Sequence, residues 1–90
     1  MKITFDPVKR NVTLEERGLD FVDAEHVFAG PKFQFVDDRF DYGEVRVTTV
    51  GLLRGRMTVV VWTQRGDDRH VFSMRKANAK EQRRYQTRLD

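Results

Sequence analysis

Apolar residues in this chain fall first at the spacing of short helices and then at the spacing of strands. Residues 2–5 read as a short strand, after which Asp6 caps free amides and Pro7 occupies the first helical position without loss. That helix is predicted to reach Arg17, with Gly18 at the stop position. Asp20 is a second N-cap, and Phe21, Ala24, Val27 and Phe28 share one helical face until Gly30-Pro31 ends the element. The period then changes to two. Phe33 and Phe35 alternate within residues 32–37, Val45 and Val47 alternate within 44–53, and 56–64 is a dense β-branched run. Val59 to Val61 is apolar on both faces, which predicts a central strand. A polar loop spans 37–43, tight hairpins are expected at 53–56 and 65–68, and 70–75 makes the last strand.

The final element differs in character. Asn78 and Glu81 have the spacing of a capping box, opening a helix to about Leu89 in which only Ala77, Ala79, Tyr85 and Leu89 can pack. A helix so poor in apolar residues either lies lightly on the sheet or waits for a partner. The pattern is that of a single α+β domain over residues 1–90, without repeats or linkers.

Composition narrows the class. With 39% hydrophobic and 34% charged residues, the chain has what a small globular fold needs. It contains no cysteine, so disulfides, thiolate nucleophiles and sulfur-ligated zinc are excluded. The N-terminus has no apolar run before Asp6-Pro7, and no segment approaches the roughly 18 apolar residues of a membrane span, so a cytoplasmic protein with no membrane association is expected. The formal net charge of +3 conceals an asymmetry. From Arg69 onward seven Lys or Arg face two acids, whereas the first 68 residues carry ten bases and twelve acids. Such a field draws polyanions to one end of the molecule.

Candidate chemistry follows from what is missing and what is left. His26 and His70 stand alone without metal-ligand spacing, and no glycine-rich phosphate loop, GxSxG or Cys/His pair is present, so no metal site or cofactor is expected. RNA cleavage suits the remainder. The adjacent 2′-hydroxyl is the nucleophile, so the protein need supply only a base, an acid and cations around the phosphate. Arg75 and Arg65 are placed to stabilise that charge bidentately. Glu81 and Tyr85 lie four apart on one helical face, and Lys76 stands just before that helix. Arg54, Arg56, Lys80, Arg83, Arg84 and Arg88 are candidate RNA-backbone contacts. Strict alternation puts Val71, Ser73 and Arg75 on one face and His70, Phe72 and Met74 on the other, so Arg75 and His70 share a face only across a bulge.

Plainer readings fit several of these residues. Glu81 is occupied if the capping box forms, Tyr85 and Leu89 suit a packing face, and Arg83-Arg84 suits a solvated one. Trp62 fits the core or a cross-strand pair, or a stacked base if it faces the groove. Direct DNA reading lacks a helix-turn-helix or other reading element.

Phe5-Asp6-Pro7-Val8-Lys9, Gly18 with Phe21 and Val27-Phe28, Val50-Gly51-Leu52, Gly55-Arg56, Trp62-Thr63-Gln64-Arg65, and Ser73-Met74-Arg75-Lys76-Ala77 followed by Glu81 and Tyr85 are together specific in order and spacing. Over nearly its full length the chain resembles BrnT, the toxin family of a bacterial type II toxin-antitoxin system. The resemblance implies a small RelE-like fold, with two N-terminal helices and a C-terminal helix packed on an antiparallel sheet of about four strands. It implies RNA cleavage that arrests translation and growth. It further implies a cognate BrnA-like ribbon-helix-helix antitoxin, through which alone operator DNA is bound. Carried over by position, Lys9, Arg65, Arg75, Lys76, Glu81 and Tyr85 become the candidate catalytic residues. The family's Lys-His-Gly at the end of the first helix is Glu16-Arg17-Gly18 here, and His70 stands where relatives often carry Arg. A guanidinium supplies charge but no neutral base at pH 7. The rival to a catalytic reading is a non-catalytic RNA-binding or antitoxin-dependent corepressor module.

Overall fold

A computed structural model describes residues 2–38 and 43–89. Its elements are β1 (Ile3–Phe5), α1 (Pro7–Arg17), a 3-10 turn (Phe21–Asp23), α2 (Ala24–Ala29), β2 (Lys32–Asp37), β3 (Arg46–Leu53), β4 (Arg56–Arg65), β5 (Asp68–Lys76) and α3 (Ala79–Tyr85), which runs into a 3-10 turn (Gln86–Arg88). The local signals act as expected except at the second helix, where Asp20 caps the 3-10 turn and α2 follows it without a side-chain cap. Asp6 accepts from the Val8 amide at 2.9 Å, Asp20 from the Val22 amide at 3.1 Å, and Gly18 closes α1 through its amide to the Leu14 carbonyl. The capping box forms in both directions between Asn78 and Glu81. At the β3–β4 hairpin Arg54 (φ 51°) and Gly55 (φ 79°) are both left-handed, the geometry of a two-residue turn whose twist matches its strands. Of the polar loop expected at 37–43, residues 39–42 lie outside the described residues.

Among the described residues the sheet has five strands in the order β1-β5-β4-β3-β2, with β4 central as its apolar run predicts. Expectation and structure part at one edge. β1 adds a fifth strand and pairs parallel with β5, whereas the other three pairings are antiparallel. Alternation within a strand says nothing about which strand it meets or in which direction, so this pairing is invisible to a reading by period. β1 covers only residues 69–71 of β5; beyond them α1 runs alongside, and Arg17 donates to the Met74 carbonyl at 3.0 Å. A backbone acceptor at an otherwise open edge is thereby satisfied.

Two cores lie on the two faces. On one, Leu19, Phe21, Ala24, Val27 and Phe28 pack against Val60, Trp62, Val71 and Met74. Trp62 belongs here, edge-on to Phe28 with its indole N–H donated to Thr49 Oγ1 at 2.8 Å, so it is core and no platform for a base. On the other face Ala77, Tyr85 and Leu89 close over Val50, Met57 and Val59, with Phe33 beside them. The last helix therefore does sit on the sheet, by very few apolar side chains, and its α-helical part ends at Tyr85 rather than near Leu89. None of the helices among the described residues is long and apolar enough to cross a membrane.

β4 and β5 lose step once. Val61 pairs with Ser73 and Trp62 with Val71, so Phe72 is an extra residue without a partner. The reason is in the core: Val71 and Met74 are 1% and 0% exposed in the same cluster, though three residues apart. A regular strand would turn one of them to the opposite face. Burying each is worth about 1.5–3 kcal/mol, against about 1 kcal/mol for a lost ladder hydrogen bond, and the bulged register wins.

Where β3 crosses α2, a Cβ on Gly51 would lie 2.7 Å from Val27 Cγ1 and 3.3 Å from the Val27 and Pro31 carbonyl oxygens. Gly51→Ala should lower stability by about 1–3 kcal/mol through overpacking. Urea unfolding should show a reduced midpoint at unchanged slope.

Candidate functional site

The bulge decides which side chains meet on the face that carries α3. Register places Arg75 opposite Val59, Ser73 opposite Val61 and His70 opposite Thr63, all on that face. Arg75 and His70 consequently share it, the case that strict alternation forbids and a bulge allows. α3 covers only the Val50, Met57 and Val59 end. The rest is a strip that includes the buried Thr48 and Thr63, with polar groups gathered at both ends.

At the α3 end a cavity of about 370 Å³ is lined by Phe35, Thr48, Val59, Arg75, Glu81 and Tyr85, among others. Asp37 and Asp38 sit on its β2 rim. The Arg75 guanidinium donates to both Glu81 carboxylate oxygens, at 2.7 and 2.8 Å, a bidentate fork. The same carboxylate accepts from the Asn78 amide at 3.0 Å. Glu81 is held at a pKa of about 2, chiefly by the Arg75 hydrogen bonds, with burial opposing and the Asn78 amide adding to them. A carboxylate with such a pKa is a poor base at neutral pH. It holds the Arg75 guanidinium in a fixed direction through two of that group's five N–H donors. Tyr85 and Glu81 are brought together as their four-residue spacing implies, with Tyr85 also part of the core.

A shallower groove adjoins this cavity across Phe35 and Tyr85, lined also by Phe33, Arg84 and Arg88. Phe35 stacks on Tyr85 with centroids 6.3 Å apart, Arg84 lies 5.5 Å over the Tyr85 ring, and Arg88 lies 4.7 Å over Phe33. Interleaved rings and guanidinium groups of this kind suit single-stranded nucleic acid.

At the other end the centre is Phe72. Arg46 lies 4.1 Å from its ring centroid, and Lys9 and Arg65 each 5.6 Å, brought in from β3, α1 and β4. Arg65 also meets Glu44 at 3.3 Å. His70 packs edge-on to Phe72 with centroids 5.3 Å apart, and its Nδ1 is 2.8 Å from Thr4 Oγ1 of β1. The His70 imidazole is pushed below its usual value, first by burial and then by the charges of Arg65 and Lys9, against Glu44 and Asp6.

The sequence candidates therefore divide. Arg75, Glu81 and Tyr85 border one cavity, and Lys9 and Arg65 converge at Phe72. Lys76 pairs with Thr58, whose face is the one opposite Arg75, so the two neighbours do not meet. Arg54 reaches Asp23 at 3.5 Å and Arg56 the Ala77 carbonyl at 3.0 Å, both around the β3–β4 turn. Lys80 and Arg83 are exposed on α3. Arg46, Phe35, Phe72 and His70 were not among the candidates. Alternation alone places Arg46 with Val50, but joining it to Lys9 requires the full sheet order. Among the described residues no group of three or more His, Asp or Glu lies close enough to hold a metal ion.

Comparison with protein families gives one match: a model described as ribonuclease toxin, BrnT, of type II toxin-antitoxin system, covering residues 5–81, from β1 into α3. No curated protein matches the chain.

Because Glu81 is depressed from 4.5 to about 2, its stabilising effect is complete above pH 4.5 and disappears as pH falls toward 2. Glu81→Gln should flatten that acid limb of the stability curve. At neutral pH it should cost about 1–2 kcal/mol, from the weakened cap and the loss of the carboxylate charge facing Arg75. Thermal unfolding of both proteins between pH 2 and 7 measures it.

Proposed function

The chain belongs to the BrnT family of ribonuclease toxins from type II toxin-antitoxin systems, and on that footing we propose that it cleaves RNA without a metal ion, by attack of a 2′-hydroxyl on the adjacent phosphate. The observation that carries this reading is Arg75: a guanidinium fixed by a bidentate carboxylate at the rim of an open, ring-lined cavity, with donors to spare. A pentacoordinate phosphate gathers negative charge on its equatorial oxygens, and preorganised donors stabilise it most where water is partly excluded. Arg75 acts from one end of the strip and Lys9 and Arg65 from the other, Glu81 orients Arg75, and Tyr85 offers a phenol at the cavity wall. Arg84 and Arg88, with Lys80 and Arg83 on the exposed side of α3, hold flanking backbone. Arg54, Arg56 and Lys76 contribute long-range attraction. RNA cleavage by this site stops translation and growth, which places the protein's work in the cytoplasm.

The same basic face is what a cognate antitoxin of the BrnA-like ribbon-helix-helix kind would cover, and operator DNA would be bound through that partner. A second reading, a non-catalytic RNA-binding or antitoxin-dependent corepressor module, draws on the fact that Glu81 neutralises Arg75 in the resting protein.

Purified protein should cut single-stranded RNA in EDTA and leave 2′,3′-cyclic phosphate and 5′-hydroxyl ends. Arg75→Ala should slow cleavage on the order of 10²-fold or more, whereas Lys76→Ala, on the far face, should change it only a few-fold. A strict magnesium requirement would overturn the metal-free mechanism. Salt-sensitive binding without any cutting would favour the module.

A further inference from the structure

We propose that His70 is the general base of this reaction, taking the proton from the attacking 2′-hydroxyl at a subsite formed where β5 bulges at Phe72. The proposal rests on the ribonuclease reading and adds to it the proton acceptor that the other candidates do not supply. Glu81 is committed to Arg75 and Asn78. His26 is exposed on α2, in the layer packed on the opposite face.

Three features of the fold bear on His70. The first is position. The extra residue in β5 brings His70 and Arg75 onto one face, about 13 Å apart by four pleated steps. A phosphate over Ser73, between them, lies within reach of the long side chains of Arg75 on one side and of Arg65 and Lys9 on the other.

The second is orientation. Thr4 Oγ1 holds Nδ1 at 2.8 Å, and the edge-on Phe72 ring buttresses the imidazole. A threonine hydroxyl both accepts and donates. In the tautomer that carries its proton on Nδ1 the hydroxyl accepts from Nδ1–H, leaving the Nε2 lone pair for substrate, and it still accepts from Nδ1–H once Nε2 is protonated. The ring need not turn during the proton transfer.

The third is charge. Facing the imidazole are Lys9 from α1, Asp6 before it, Arg65 from β4 and Glu44 before β3, with Arg46 across the Phe72 ring. Burial and the cations prevail, so the ring is neutral at pH 7 and available as a base. The same cations hold the phosphate whose 2′-hydroxyl is being deprotonated.

In the step, the Nε2 lone pair takes the 2′-hydroxyl proton as the O2′–P bond forms. The P–O5′ bond breaks with its electron pair on O5′, which takes a proton from water. The products are a 2′,3′-cyclic phosphate and a 5′-hydroxyl, and the imidazolium returns its proton to water.

The test is the pH dependence of cleavage of a short single-stranded RNA. For the unaltered protein kcat/KM should rise with pH and level off, with an inflection below 6.5, the ordinary imidazole value. His70→Gln should abolish the inflection and lower kcat about 10²-fold or more, with RNA affinity nearly unchanged. His70→Ala should regain activity with added imidazole, which a purely structural histidine would not permit. Thr4→Val, which leaves His70 in place, should lower kcat several-fold at constant KM, and it keeps the question open to test if the His70 variants do not fold. Wild-type kcat in Thr4→Val together with an intact inflection in His70→Gln would overturn the assignment. An unaltered protein that binds RNA but never cuts would instead remove the ribonuclease reading beneath it.

Discussion

One unpaired residue in β5 governs which side chains share each face of the sheet. Val71 and Met74 are separated by an odd number of positions, and both are needed in the core beneath α1 and α2. The chain meets that demand by slipping Phe72 out of the ladder. Everything N-terminal to the slip changes face relative to everything C-terminal to it. His70 and Phe72 emerge on the α3 side with Arg75, and Arg69 turns to the other face to lie 4.1 Å from Phe28 and 5.1 Å from Trp62. A packing requirement on one side of the sheet thus sets which side chains are displayed on the other. Bulges commonly re-aim side chains next to sites of chemistry.

The second constraint is the modest reach of α3. Three apolar side chains, Ala77, Tyr85 and Leu89, secure it to one end of the sheet. A longer or more apolar helix would have covered the strip between Arg75 and His70. Its capping box does double duty: Glu81 reaches back to the Asn78 amide and outward to Arg75, so the start of the helix and the aim of the guanidinium are one hydrogen-bonded unit. Such coupling holds a charged group in a fixed direction before substrate arrives, which is where electrostatic stabilisation of a transition state gains its advantage.

How much was legible follows from which forces are local. Asp6-Pro7, Gly18, Asp20, the Arg54-Gly55 turn and the Asn78–Glu81 box are signals read by neighbouring amides, and each acts as its residues imply. The strands of the middle region keep their places because alternation is a property of the strand itself. The parallel docking of β1 on β5 was not legible, since it depends on partners 66 residues apart, Ile3 with Arg69 and Thr4 with His70. The bulge left one trace, the odd spacing of Val71 and Met74, which gains meaning only once both are known to be core. The basic C-terminal third proved a partial guide: Arg75, Arg84 and Arg88 border the cavities, but Lys76 faces away, and the second cationic cluster is drawn from Lys9, Arg46 and Arg65 earlier in the chain.

The substitution at the end of α1 is intelligible in this frame. Arg17 stands where the resemblance leads one to expect histidine, and here its guanidinium is spent on the Met74 carbonyl, the residue just before Arg75. It braces the backbone of the strand at the point where that strand must deliver Arg75 to the cavity. A guanidinium is suited to this because its planar fork of N–H donors reaches a backbone acceptor from a neighbouring element. An imidazole at the same place would offer both charge and base, but neither permanently. The chain separates the two groups: the Arg17 guanidinium fixes the strand, and the proposed base, the His70 imidazole, is turned outward by the bulge and steadied by Thr4.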